Sequence, residues 1–181
     1  LVQGIKSPAY RTGFDRNLWL WEQYSPDATY LMTADVARGD AHDFSVFHII
    51  KLDTMEIVGE YRGKPNLEEF AATLDSTGRE LEKLRDREYP NLYHSIKGTH
   101  EYIDQLQAES VSNSVPGFTT SSKTRPLIVA KMEEFIRNKL ITVYSSRLVD
   151  EFKTFIWNNN KAEAMRSYHD DLVMALAIGC W

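Results

Sequence analysis

From Tyr30 to Arg62 the chain passes through three strand-like stretches joined by short loops, a spacing that points to an antiparallel meander. In the first, Tyr30, Met32 and Ala34 alternate with Leu31, Thr33 and Asp35. Both sets are largely apolar, as expected of a central strand covered on both faces. The second covers Ser45–Leu52, where Val46, His48 and Ile50 alternate with Phe47, Ile49 and Lys51, and a tight turn leads into the third, Met55–Tyr61. The first stretch ends on Asp35. A carboxylate at the end of a buried strand is a rigid point from which to hold a divalent metal, provided it has partners elsewhere in the chain.

The 181 residues, 43% hydrophobic and 26% charged, have the make-up of one globular domain with its own core. A net charge of −5 supplies no global basic field, so a nucleic-acid partner would have to meet a local basic rim. The single cysteine, Cys180, excludes an intramolecular disulfide framework and a cysteine-only zinc site, and suits a reducing compartment. No apolar run nears the roughly 20 residues that a membrane span requires, and the N-terminus carries no signal-peptide pattern. The expectation is an intracellular protein that is not secreted.

Residues 1–29 read as an arm containing one short strand around Asn17–Glu22, with Trp19 and Trp21 packing on a sheet edge. Beyond the meander, Asn66 is placed to cap a helix that has Glu68 and Glu69 in its first turn and Leu67, Phe70, Ala71 and Leu74 on one face. Ser76-Thr77-Gly78 weaken the pattern before a highly charged helical run, Arg79–Glu88. A strand should then return to the sheet, yet no apolar run between Gly78 and Tyr89 can form one. Asn91–Ile96 is a short strand candidate, and Ser110–Arg125 is a Ser-, Thr- and Gly-containing loop of a length that suggests function. Pro126 opens an amphipathic helix with Leu127, Ile128, Ala130, Met132, Phe135 and Ile136 inward. A short strand is expected at Leu140–Tyr144, a helix at Ser146–Phe152 and a hairpin turning through Asn158–Asn160. The last run, His169–Ile178, reads as a helix apolar on nearly all sides, which must be buried.

Asp170 and Asp171 stand in the first turn of that helix. Acids are favoured there as caps and by the helix dipole, and one of the two could do nothing else. Two adjacent acids ahead of a wholly apolar helix nevertheless carry at least one to the edge of the core. A lone carboxylate is costly to desolvate there, and a bound cation removes that cost. Hard oxygen donors suit magnesium or manganese rather than zinc. Two such ions about 3.5–4 Å apart hydrolyse phosphodiesters by activating a water and stabilising the leaving oxygen. Gly59…Gly63-Lys64 is too short for a phosphate loop and has Pro65 where Ser or Thr is needed, so there is no ATPase motif. The five histidines, His42, His48, His94, His100 and His169, include no His-x-x-x-His pair of the helical zinc hydrolases.

Three ordered blocks carry a resemblance. Thr33-Ala34-Asp35-Val36-Ala37-Arg38-Gly39-Asp40 with Asp43 and Ser45, Gly117-Phe118-Thr119-Thr120 with Lys123-Thr124-Arg125-Pro126, and Tyr168-His169-Asp170-Asp171-Leu172-Val173-Met174-Ala175 together resemble the C-terminal nuclease domain of tailed-phage terminase large subunits of the T-even-like type. The similarity spans Tyr30 to Trp181. It implies an RNase H-like α/β fold of the resolvase/integrase superfamily, a mixed central sheet flanked by helices, with residues 30–181 as the nuclease domain and 1–29 as a linker from an ATPase domain absent here.

The implied activity is a Mg2+-dependent endonuclease, with Mn2+ as substitute, that cuts concatemeric viral double-stranded DNA at the start and end of genome packaging with little sequence specificity. A resolvase of the same fold and a non-catalytic DNA or portal docking module are the alternatives. The implied partners are double-stranded DNA, the ATPase motor domain, the portal and the small terminase subunit, in the cytoplasm of an infected bacterial host. Carried over by position, Asp35 and Asp171 are metal ligands and catalytic residues with Asp170 in support, and Asp43 and His169 lie behind them. Arg38, Thr119, Thr120, Lys123 and Arg125 are DNA contacts. The family also has a middle acid, usually Glu, on the strand after the first helix, the strand that does not appear in this sequence. A segment missing between Glu80 and Leu81 would account for both absences, and would leave those two residues far apart.

Overall fold

Five strands form one antiparallel sheet in the computed structural model, which describes residues 4–37, 43–88, 118, 120–158 and 161–181. They are β1 (Tyr10–Thr12), β2 (Leu18–Leu20), β3 (Tyr30–Asp35), β4 (Ser45–Lys51) and β5 (Glu56–Gly63), in the spatial order β1-β2-β5-β4-β3. Helix α1 (Leu67–Glu88) covers one face, while α2 (Thr124–Arg137), α3 (Ser146–Thr154) and α4 (Asp171–Gly179) cover the other. A hairpin of β6 (Phe155–Asn158) and β7 (Lys161–Ala164) joins α3 to α4.

The alternation along β4 decides which side chains meet which helices. Val46 and Ile50 enter the core shared with Leu172, Val173 and Leu176 of α4, whereas Phe47 and Ile49 point to Phe70 of α1. Phe47 stacks on Tyr61 at 5.2 Å between ring centroids. The expected cap of α1 is present as a reciprocal box: the Glu69 amide donates to Asn66 Oδ1 at 2.8 Å, and the Asn66 amide donates to Glu69 Oε2 at 3.1 Å. Helix α4 is buried from Asp171 through Ala177. Among the described residues no helix is long and apolar enough to cross a membrane.

Several expectations are corrected. Among the described strands β3 lies at the sheet's edge and not at its centre, because its two apolar faces reflect helices above and below and say nothing of a lateral neighbour. Helix α1 runs unbroken through Ser76-Thr77-Gly78, with the hydroxyls of Ser76 and Thr77 donating back to Thr73 O at 3.1 and 2.8 Å. Glu80 and Leu81 lie within that helix. Leu67 and Ala71 face solvent, and the buried stripe is Phe70 and Thr77 with Leu74 and Leu81 partly covered. In α2, Leu127 and Ala130 are exposed and Val129 is buried in their stead. Leu140–Tyr144 makes only a single parallel bridge, Thr142 to Glu56. The strand candidate Asn91–Ile96 and most of the loop before Pro126 lie outside the described residues.

Candidate active site

Asp35 pairs across the sheet with Val46, which belongs to the core under α4, so the alternation turns Asp35 to the α4 side. Gly179 fixes how α4 lies there. A Cβ at that position would stand 2.6 Å from Thr33 Cγ2 and 3.2 Å from Ile50 Cδ1, so only glycine lets the C-terminal turn of α4 rest on β3 and β4. At the other end of α4, the Phe44 amide just before β4 donates to Asp171 Oδ2 at 3.3 Å. With both ends held, the N-terminus of α4 arrives where β3 ends, and residues 136 positions apart in the chain share one site.

The three expected acids have different surroundings. Asp170 Oδ2 accepts from Arg125 Nη2 and from the Ala164 amide at 3.2 Å, and Arg125 Nε donates to Ala162 O at 2.7 Å. Asp171, buried, takes the Phe44 amide and stands 3.5 Å from His169 Nδ1, which is also 3.8 Å from Asp43 Oδ1. Asp35 faces both aspartates. Burial pushes its carboxyl up to about 6, with the charges of Asp171 and Asp170 adding to the rise. Asp171 is raised too, chiefly by burial, and the Phe44 amide acts against that shift.

Neither aspartate caps α4 with its side chain, although sequence alone made that the simplest use of one of them. The cap comes from Glu151 of α3. Its Oε2 accepts from the Leu172 amide at 2.8 Å and the Val173 amide at 3.2 Å, and burial raises its carboxyl to about 7. Glu151 is the residue that sequence reading missed. Its one signal was an acid three residues after Leu148 on the apolar side of an amphipathic helix. Next to it, His48 Nε2 is 2.9 Å from Leu172 O, and behind it Glu60 accepts from Ser145 Oγ at 2.7 Å and Arg147 Nε at 2.8 Å.

Whether these residues suit a divalent cation turns on the donors left over. Asp35 and Asp171 offer carboxylate oxygens whose charges oppose each other in a partly desolvated place, which a cation would relieve. Magnesium commonly keeps several waters and takes one or two carboxylates, so the pair fits a hydrated ion of that kind. Among the described residues no three His, Cys, Asp or Glu side chains converge to hold an ion, so an all-protein cage has no basis there.

The remaining expected site residues divide. Arg125 is turned inward onto Asp170, whereas Lys123 and Thr120 are exposed at the start of α2. Arg38 and Thr119 lie outside the described residues, and the strand with the middle acid is not found among the described ones.

No family model matches the chain. The terminase large subunit of Thermus virus P23-45 is 27% identical over 164 residues, covering 87% of this chain and 32% of that protein. The chain thus spans about a third of the length of this relative. Among solved structures, the large terminase nuclease from thermophilic phage G20c with bound magnesium matches with a TM-score of 0.67 at 20% identity, over 97% of this chain and 91% of the other. The Thermus phage P74-26 large terminase nuclease domain matches with a TM-score of 0.68 at 22% identity, over 96% of this chain and 88% of the other. The G20c nuclease also matches in forms with bound cobalt and with bound zinc. The chain is therefore similar in sequence to a terminase large subunit and has the fold of large terminase nuclease domains, an RNase H-like α/β fold around a central antiparallel sheet.

Proposed function

We propose that this chain is the nuclease domain of a terminase large subunit, a metal-dependent endonuclease that cuts concatemeric phage DNA when packaging begins and ends. The observation that carries this reading is that Asp35, at the end of β3, lies within reach of the charges of Asp171 and Asp170, at the head of α4, which oppose its own. Likeness to terminase nucleases with bound magnesium, cobalt or zinc supports a divalent ion as the counter-charge here. Such an ion supplies an activated water and charge for the leaving oxygen. Asp35 and Asp171 would hold it, with Asp170 steadied by Arg125. His169, partly exposed, stands between Asp43 and Asp171 at the rim. Exposed Lys123 and Thr120 would meet phosphate oxygens and read no bases. In the whole protein the ATPase motor, portal and small terminase subunit would be the partners, in the cytoplasm of the infected host.

A second reading, a non-catalytic module that docks DNA or the portal, is favoured by one observation: no third metal-binding acid joins Asp35 and Asp171 among the described residues. Plasmid degradation with magnesium or manganese separates the two. The wild type should nick and linearise the plasmid and Asp35→Asn should not; equal plasmid survival with both proteins would leave the docking module.

A further inference from the structure

The first four amides of a helix have no partner within it. In α4 the first intrahelical bond is Met174 N to Asp170 O at 2.8 Å, so the amides of Leu172 and Val173 need acceptors from outside. Acids at the head of a helix commonly supply them. Here Glu151 accepts both, from a buried position on α3, and the two aspartates are left for other work. In the same turn His48 Nε2 meets the Leu172 carbonyl. The other Glu151 oxygen, Oε1, lies 3.6 Å from Arg62 Nε, and the Arg62 guanidinium sits 4.0 Å over the Phe44 ring. The Phe44 amide, in turn, donates to Asp171. Glu151, the first turn of α4, Asp171, Phe44 and Arg62 thus form a closed circuit of contacts drawn from α3, α4, β5 and the residue before β4.

We infer that Glu151 is the positioning residue of the site: by capping α4 from α3 it sets where Asp171 stands and releases both Asp170 and Asp171 from capping. It touches no reacting group and acts only through the amides it holds. The inference rests on the proposed metal-dependent reading for its consequence, but its structural content is independent of any metal. A carboxamide keeps one oxygen acceptor, so Glu151→Gln should preserve the cap, whereas Glu151→Ala removes it. Leu148→Ala, on the same helix and equally buried, is the control for lost packing without a lost cap.

Two measurements on the full chain test this. Hydrogen exchange in metal-free protein should find the Leu172 and Val173 amides protected in the wild type, in Glu151→Gln and in Leu148→Ala, and fast in Glu151→Ala. The magnesium concentration that half-saturates the thermal stabilisation of the protein should rise roughly tenfold or more in Glu151→Ala, in the range of lost outer-sphere partners, and return towards wild type in Glu151→Gln. Unchanged exchange at Leu172 and Val173 in Glu151→Ala, or a parallel rise in magnesium requirement in Leu148→Ala, overturns the inference. A wild type whose stability ignores every divalent ion overturns the metal reading while leaving the exchange result to decide the cap.

Discussion

Asp35→Asn should stabilise the metal-free protein above neutral pH even as it removes a proposed catalytic group. Burial holds the Asp35 carboxyl at about 6 in the folded protein, against 3.8 for an ordinary aspartate. At roughly 1.4 kcal/mol per unit this amounts to about 3 kcal/mol of folding free energy withheld when the group is ionised. The folded value is the higher one, so the penalty is absent below the unfolded value, grows as pH rises between 3.8 and about 6, and is complete above it. Wild-type stability should therefore fall across that window. The asparagine variant, which carries no charge there, should lack this fall. Desolvation of the carboxylate comes first among the causes and repulsion from Asp171 second; asparagine removes both but still requires hydrogen-bond partners of its own. A net gain of roughly 1–2 kcal/mol at pH 8 is expected, or about 2–8 °C in Tm for a domain of this size. Urea midpoints for both proteins at pH 4.5 and pH 8 test it. Magnesium should raise the Tm of the wild type at pH 8 and leave that of the variant nearly unmoved. An Asp35→Asn protein less stable than the wild type at pH 8 and equal to it at pH 4.5 would mean that the aspartate stabilises the fold, and the case for a cation at this site would fail.

Gly179→Ala should cost roughly 1–3 kcal/mol, because its Cβ meets Thr33 Cγ2 at 2.6 Å, and Thr33→Ser, which lacks that methyl, should recover part of the loss in a double-mutant cycle. Arg125→Ala should lower the urea midpoint by the equivalent of about 2 kcal/mol, between an exposed and a buried ion pair, since it strands the Asp170 carboxylate and frees the Ala162 carbonyl. It should also raise the Asp35 titration midpoint followed by NMR, because the Arg125 charge opposes the rise at Asp35.

What the sequence disclosed about this fold follows from the range over which each signal acts. The meander, the hairpin and the burial of α4 were legible because side-chain alternation and unbroken apolar character are local properties. The position of β3 was not, since apolar faces record what lies above and below a strand, whereas its place in the sheet depends on backbone groups that leave no side-chain mark. The faces of α1 and α2 were misjudged because the helical period fixes which residues share a face but not how far the neighbouring elements extend over it. Leu67 and Leu127 fit the helical period, yet each is 52% exposed.

The site divides along the same line. Asp35, Asp170 and Asp171 were readable as acids carried to the core's edge, each by its own strand or helix. The partners that hold them were not: Arg125 reaches Asp170 across 45 positions and Glu151 reaches the first turn of α4 across 21. Glu151 looked like an ordinary member of a helix, and Arg125 like a DNA contact at the end of a loop. This bears on which aspartate would serve the proposed chemistry. Arg125 and the Ala164 amide both engage Asp170 Oδ2, while Asp171 has one backbone donor and a neighbouring imidazole. With Glu151 meeting the helix's own demand for acceptors, Asp171 is the acid at the head of α4 with the most oxygen capacity left to face Asp35.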